Sequence, residues 1–154
     1  MSIAKKLELK IPPVVVWIFT ASLMRLSVHL GPRLTWWHQP TLALGLALGG
    51  ISLGVLGVVS FRQAHTTVDP RHPRKMTALV TSGVYRATRN PMYLGMLLSL
   101  TGWAVWLGQL MPFIFLPLFV LFLNRWQIAP EERALERTFG ADYAFYRARA
   151  HRWI

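Results

Sequence analysis

Residues 92–124 read MYLGMLLSLTGWAVWLGQLMPFIFLPLFVLFLN, 33 positions without a charged side chain. One helix of that length would run about 50 Å, against a hydrocarbon layer of about 30 Å. The run must therefore fold back on itself. Leu107-Gly108-Gln109 supplies the turn, and Pro112 just beyond it suits the start of a returning helix. Two spans follow, at about 91–107 and 110–126.

The neighbouring segments repeat the pattern. Thr41 to Phe61 carries no charge, and Ile11 to Leu30 is interrupted only by Arg25 and His29. These give two earlier spans at about 12–30 and 41–62. Lys5, Lys6 and Lys10 precede the first span as they would a signal peptide. The sequence after it, Leu30-Gly31-Pro32-Arg33, lacks a small-x-small cleavage site, so the span is expected to be retained. The fold class expected is an all-α integral membrane protein with four transmembrane helices. Residues 1–154 form one domain, with a loop at 63–90 and amphipathic helices at 130–152. Gly45/Gly49 and Gly50/Gly54 are small-xxx-small pairs suited to close helix contact.

Composition agrees. The chain is 53% hydrophobic and 15% charged, and its mean hydropathy is +0.36. Soluble domains are about 25% charged. The absence of cysteine excludes a disulfide framework, thiolate metal ligation and a cysteine nucleophile. The net charge of +11 is split among loops between apolar runs rather than concentrated on a soluble scaffold, which argues against nucleic acid. Of 17 basic residues, 15 fall in the N-terminus, the second loop and the C-terminal region. By the positive-inside rule both termini and that loop face the cytoplasm, with the cell (inner) membrane the expected location. All six acids lie on the same side, so polar chemistry is expected there. The five histidines show no metal-ligand spacing, and no metal is expected.

Two stretches on that side stand out. The first runs from Thr77 through Leu79-Val80-Thr81-Ser82-Gly83-Val84-Tyr85 to Arg89-Asn90-Pro91-Met92-Tyr93-Leu94-Gly95. Asn-Pro is a turn signal, and Pro91 can open the third span. The second is Pro130-Glu131-Glu132-Arg133-Ala134-Leu135-Glu136-Arg137-Thr138-Phe139-Gly140, with acids in its first turn and Gly at its end. On composition alone the acid pair is equally a complement to the helix dipole. The tail from Asp142 to Trp153 is aromatic and basic, as suits a segment lying against anionic headgroups. Arg25 and His29, four apart, share a helix face. Arg25 either snorkels outward or lines a polar pocket.

With Phe139-Gly140-x-x-Tyr143-x-x-Tyr146 and the closing Arg152-Trp153, these motifs resemble the integral-membrane methyltransferases of the isoprenylcysteine carboxyl methyltransferase and phospholipid methyltransferase superfamily. The resemblance covers roughly residues 41–154. It implies an S-adenosylmethionine site at the cytoplasmic face, contacted by Thr77, Ala78, Leu79, Val80, Tyr85, Asn90, Pro91, Met92, Tyr93 and Glu131. Arg89-Asn90-Pro91 stands where the family more often has Arg-His-Pro, and Asn does not carry a proton as His does. Gln127 stands where isoprenylcysteine enzymes place an arginine facing the acceptor carboxylate. A neutral amide there favours a lipophilic acceptor bearing an amine, hydroxyl or thiol. Glu132 and Gln127 are accordingly the candidate acceptor-side residues, Glu132 as a weak general base or substrate contact. Tyr85, Tyr93 or Trp126 could place a ring face on a sulfonium. Expected partners are a lipid-like small-molecule acceptor and membrane lipids. The competing readings are a non-enzymatic membrane scaffold or carrier, and a nicotinamide-dependent membrane reductase of related architecture.

Overall fold

A computed structural model describes residues 9–64 and 78–154, and among these every named element is helical. α1 spans Pro13–Leu26 and ends in a 3₁₀ turn, Ser27–His29. α2 spans Gln39–Gln63 and α3 spans Pro91–Leu107. A 3₁₀ turn, Met111–Ile114, leads into α4, Phe115–Leu123. One π turn, Asn124–Ile128, joins α4 to α5, Ala129–Arg147.

The 33-residue apolar run does fold back at Gly108. This residue takes φ +62°, a left-handed conformation that favours glycine, and closes α3. A side chain there would also meet Gln39 Nε2, which donates to Val105 O at 2.6 Å. Two helical stretches, Gln39–Gln63 and Met111–Arg147, are long and apolar enough to cross a membrane. Pro13–His29 and Pro91–Leu107 are shorter apolar helices. Large apolar side chains such as Ile18, Phe19, Leu26, Leu44 and Ile51 remain exposed. An apolar surface this extensive belongs in lipid or at an interface.

α2 and α3 pack backbone to backbone. A Cβ on Gly95 would lie 2.5 Å from Gly50 O and 3.0 Å from Gly54 N, and one on Gly102 would lie 2.7 Å from Ala43 O. Gly50 thus serves the close contact expected of its pair with Gly54, whose backbone faces Gly95. A Cβ at Gly45, Gly49 or Gly54 would meet nothing within 4 Å. α1 is tied to α3 by indole donors: Trp17 Nε1 to Ser99 Oγ at 2.9 Å, and Trp103 Nε1 to Ala21 O at 3.1 Å. Met24, Leu100, Ala104, Phe119 and Leu123 fill the space between α1, α3 and α4.

A second apolar cluster holds the other end together. Val80, Tyr85, Tyr143, Tyr146 and Ala150 pack there, with Phe61 and Leu135 against them. Gly140, at φ +48° and ψ −115°, kinks α5 where its glycine marks the end of the acid-bearing helix. The kink turns Tyr143 and Tyr146 back onto the loop. The 142–153 tail is therefore only partly the headgroup-facing segment its composition suggests. Its tyrosines are buried against protein, while Phe145 stays exposed beneath Arg149, 3.9 Å away.

Candidate functional site

Pro91 opens α3 and lies fully buried in its first turn, which aims Met92 and Tyr93 toward the start of α5. The π turn at 124–128 holds one residue more per turn than an α-helix. It sets the direction in which Glu131 and Glu132 leave α5. A cavity forms where these elements meet the segment 78–85 and the end of α2. Ala78, Leu79, Val80, Tyr85, Asn90, Met92, Tyr93, Glu131 and Glu132, all expected at the site, line it. Thr77 lies outside the described residues. Pro91, also expected at the site, is fully buried and does not line the cavity.

Glu131 accepts a hydrogen bond from Tyr93 Oη at 2.5 Å. Burial pushes its carboxyl up to about 7. The Tyr93 hydroxyl partly offsets this, and the neighbouring Glu132 charge adds to it. A carboxylate on an apolar cavity wall is suited to a cationic ligand, whose charge would favour its ionised form.

Glu132 is placed differently. Arg89 Nη2 donates to its Oε1 at 3.0 Å, and Arg152 reaches Oε1 with Nε at 3.1 Å and Oε2 with Nη2 at 2.5 Å. Both carboxylate oxygens are engaged by guanidinium groups, which disfavours the weak general base, while Glu132 still lines the cavity as the expected substrate contact would. Glu132 is the centre of a clamp. Arg89 also donates through Nη1 to Arg147 O and Ala150 O, and through its backbone N–H to His151 O at 2.8 Å. Asn90 Nδ2 donates to Arg152 O at 2.9 Å, so this amide joins the same clamp.

Gln127 is corrected more fully. Its Nε2 donates to Ile11 O at 2.7 Å, its side chain is fully buried, and it lines no part of the cavity. It fastens the π turn to the chain just before α1. Preference against a carboxylate acceptor cannot be argued from Gln127. Trp126 packs on Phe122, with ring centroids 4.8 Å apart, and is likewise absent from the cavity wall.

Phe61, Arg89, Leu135, Tyr143 and Tyr146 line the cavity without having been expected there. Tyr143 and Tyr146 stand three apart on one helix face, a spacing that could have signalled it. Tyr146 Oη donates to Tyr85 O at 2.8 Å. Burial pushes Tyr146 and Tyr85 above the usual phenol range. Tyr143 is 1% exposed, and its hydroxyl has no hydrogen-bond partner among the described residues. Burial pushes it up to about 12, so it is a neutral donor at ordinary pH. An orphan buried hydroxyl is expensive unless a ligand satisfies it. The wall thus offers a carboxyl, an unsatisfied hydroxyl, aromatic rings and aliphatic surface. That set fits a ligand with positive charge and polar edges on a partly apolar body.

The sequence profile of the phospholipid methyltransferase family matches residues 38–142, which include every cavity-lining residue except Tyr143 and Tyr146. The chain belongs to this family. Two probable protein-S-isoprenylcysteine O-methyltransferases, from the indica and japonica subspecies of Oryza sativa, are 28% identical to this family member over 116 residues. The match covers 75% of this chain and 61% of theirs, so the chain spans about three fifths of the length of the rice relatives. An uncharacterised protein of Haemophilus influenzae is 41% identical over 63 residues, which are 41% of this chain and the whole of that protein. No solved structure matches the sequence. As a member of the phospholipid methyltransferase family the chain is a methyltransferase-type membrane protein, and the wider superfamily resemblance read from its motifs holds.

Proposed function

We propose that the chain transfers a methyl group from S-adenosylmethionine to a lipophilic or amphiphilic acceptor reached from the bilayer. The observation that carries this is Glu131. Its carboxyl is buried against Tyr93 in the wall of one cavity built from both sequence motifs, in a chain of the phospholipid methyltransferase family. S-adenosylmethionine supplies, when bound, a methyl group on a cationic sulfur. The residues that would hold it are Glu131 for its positive charge, Tyr143 Oη for a polar edge, and the segment 78–80 with Tyr85, Met92 and Tyr93 for its remaining surface.

An activated methyl donor asks little of acid–base groups. Orientation alone contributes about 7–11 kcal/mol to well-positioned reactions of this kind. The clamp of Glu132 between Arg89 and Arg152 holds the C-terminal tail over the Asn90-Pro91 turn and ties the wall together. Leu79, Val80, Met92 and Leu135 give the cavity an apolar wall against which a reacting centre would be desolvated. An amine, hydroxyl or thiol acceptor gives up a proton to solvent as it gains the methyl group, and a carboxylate acceptor has none to give up.

Four membrane crossings, with both termini and the loop 63–90 cytoplasmic, complete the proposal. They are supported by the alternating directions of α1 to α4 and by the sequence itself, in which 15 of the 17 basic residues fall in the N-terminus, the second loop and the C-terminal region. Single cysteines at positions 36 and 142 are expected to react with an impermeant thiol reagent from opposite sides of the membrane. Labelling of both from one side would overturn the topology.

Calorimetry with S-adenosylmethionine in detergent tests the activity reading, with tritiated methyl transfer to a panel of lipids as its continuation. Absence of heat with folded protein would return the chain to the scaffold reading. Affinity should also depend on pH. Glu131 is held near 7, so it is neutral below that pH and ionised above it. A cation binds the ionised form better, and binding below pH 7 must displace the proton. The Kd is therefore expected to fall as pH rises from about 6 to about 7.5. Glu131→Gln should bind weakly with no such slope. An equal slope in that variant would place the titrating group elsewhere.

A further inference from the structure

The end of the bundle away from the cavity carries a groove of about 570 Å³ lined by Arg25, His29, Arg33, Trp103 and Trp106. Arg25 and His29 line this groove, and neither lines the cavity of the candidate site. All three basic side chains are exposed. The described acidic side chains, Glu131, Glu132, Glu136 and Asp142, all belong to α5, which meets α3 at its first turn. No carboxylate among the described residues pairs with Arg25 or Arg33. Three basic groups converge on a groove that supplies no anion of its own.

The same two tryptophans also line a second, apolar groove of about 840 Å³ between α1, α2 and α3. This groove runs back along α3 through Ser99 and Gly95 to Met92, on the edge of the cavity. A cationic mouth opening onto a long apolar trough selects one kind of occupant. A soluble anion leaves the trough empty, and a zwitterionic or cationic headgroup gains less from the mouth.

We propose that Arg25, His29 and Arg33 hold the phosphate of an anionic phospholipid whose chains lie in the trough along α2 and α3. This rests on the reading of the chain as membrane-spanning and is independent of methyl transfer. The lipid is not the methyl acceptor. From Trp106 to Met92 is 14 residues of helix, about 21 Å, whereas reacting atoms must approach to about 3–3.5 Å. It is a second lipid, drawn from the opposite leaflet, that fills the surface between α1 and α2.

The test uses the full chain in mild detergent. Thermal unfolding is followed while dioleoylphosphatidylglycerol, dioleoylphosphatidylcholine or inorganic phosphate is added. Phosphatidylglycerol is expected to raise the melting temperature at concentrations about tenfold or more below those at which phosphatidylcholine acts, and phosphate alone to do nothing. Arg25→Ala with Arg33→Ala should abolish the preference, and Arg25→Lys with Arg33→Lys should recover part of it. Equal action of the two lipids, a preference surviving the double alanine variant, or stabilisation by inorganic phosphate alone would each overturn the proposal. S-adenosylmethionine binding, measured on the same samples, is expected to be unchanged in both double variants. Its absence in the wild type would count against the proposed activity and leave the lipid result standing.

Discussion

Replacing Glu131 by alanine is expected to weaken S-adenosylmethionine binding ten- to a hundredfold while leaving the melting temperature near that of the wild type at pH 8. A hydrogen bond to a charged group is worth about 1.5–3 kcal/mol, which sets the affinity range. The stability expectation follows from the carboxyl's raised value of about 7. A group that holds its proton more tightly folded than unfolded favours the fold at low pH. That contribution is lost as pH rises toward 7 and is gone above it. At pH 8 the ionised, buried carboxylate burdens the fold, and its removal offsets the unpaired Tyr93 hydroxyl left behind. Glu132→Ala should behave in the opposite way. It frees Arg89 and Arg152, loosens the tail over the Asn90-Pro91 turn and lowers the melting temperature. Calorimetry and thermal unfolding on the two variants check this. Normal binding with a large loss of stability in Glu131→Ala would make the acid a helix cap and nothing more.

Gly95→Leu is expected to prevent stable packing of the bundle, whereas Gly49→Leu is expected to be tolerated. The substitutions are chemically the same and differ in what a new Cβ meets. At Gly95 it meets Gly50 O at 2.5 Å and Gly54 N at 3.0 Å, backbone atoms that a rotamer change cannot move. α2 and α3 would have to separate along their contact, and overpacking costs of about 1–3 kcal/mol are a lower bound where backbone is the obstacle. At Gly49 nothing lies within 4 Å. Leucine there gains the roughly 0.8–1 kcal/mol by which glycine is the poorer helix former. Yield of monodisperse protein and melting temperature are the measurements. Comparable behaviour of the two variants would mean that α2 and α3 do not approach as closely as described.

The helices were readable because apolar length and glycine punctuation act locally. The expected 91–107 segment coincides with α3, and Gly108 turns where a left-handed residue is needed. Most of the cavity wall was also readable, because the Tyr85 and Asn90-to-Tyr93 stretches and Glu131 sit in motifs. Three things were not. The π turn leaves no mark on hydrophobic periodicity, so the resemblance that puts Gln127 on the acceptor side carries no sign of its reach to Ile11. The clamp on Glu132 comes from Arg89 and Arg152, 43 and 20 residues away, and ion pairs at such separations have no local signature. The burial of Tyr143 depends on the kink at Gly140, which could be read as a helix end but not as a change of direction.

The π turn at Asn124–Ile128 also changes what counts as variation in this protein. Such a turn is what one additional residue looks like when a helix absorbs it, and it rotates everything downstream by about 100°. The aim of both carboxylates is thus written in the number of residues before them rather than in their identity. An insertion or deletion at this point re-aims Glu131 and Glu132 together while every side chain keeps its chemistry. Two sequences can therefore agree at each motif and still present different walls to an acceptor. Selectivity in a cavity built this way evolves by counting as well as by substitution.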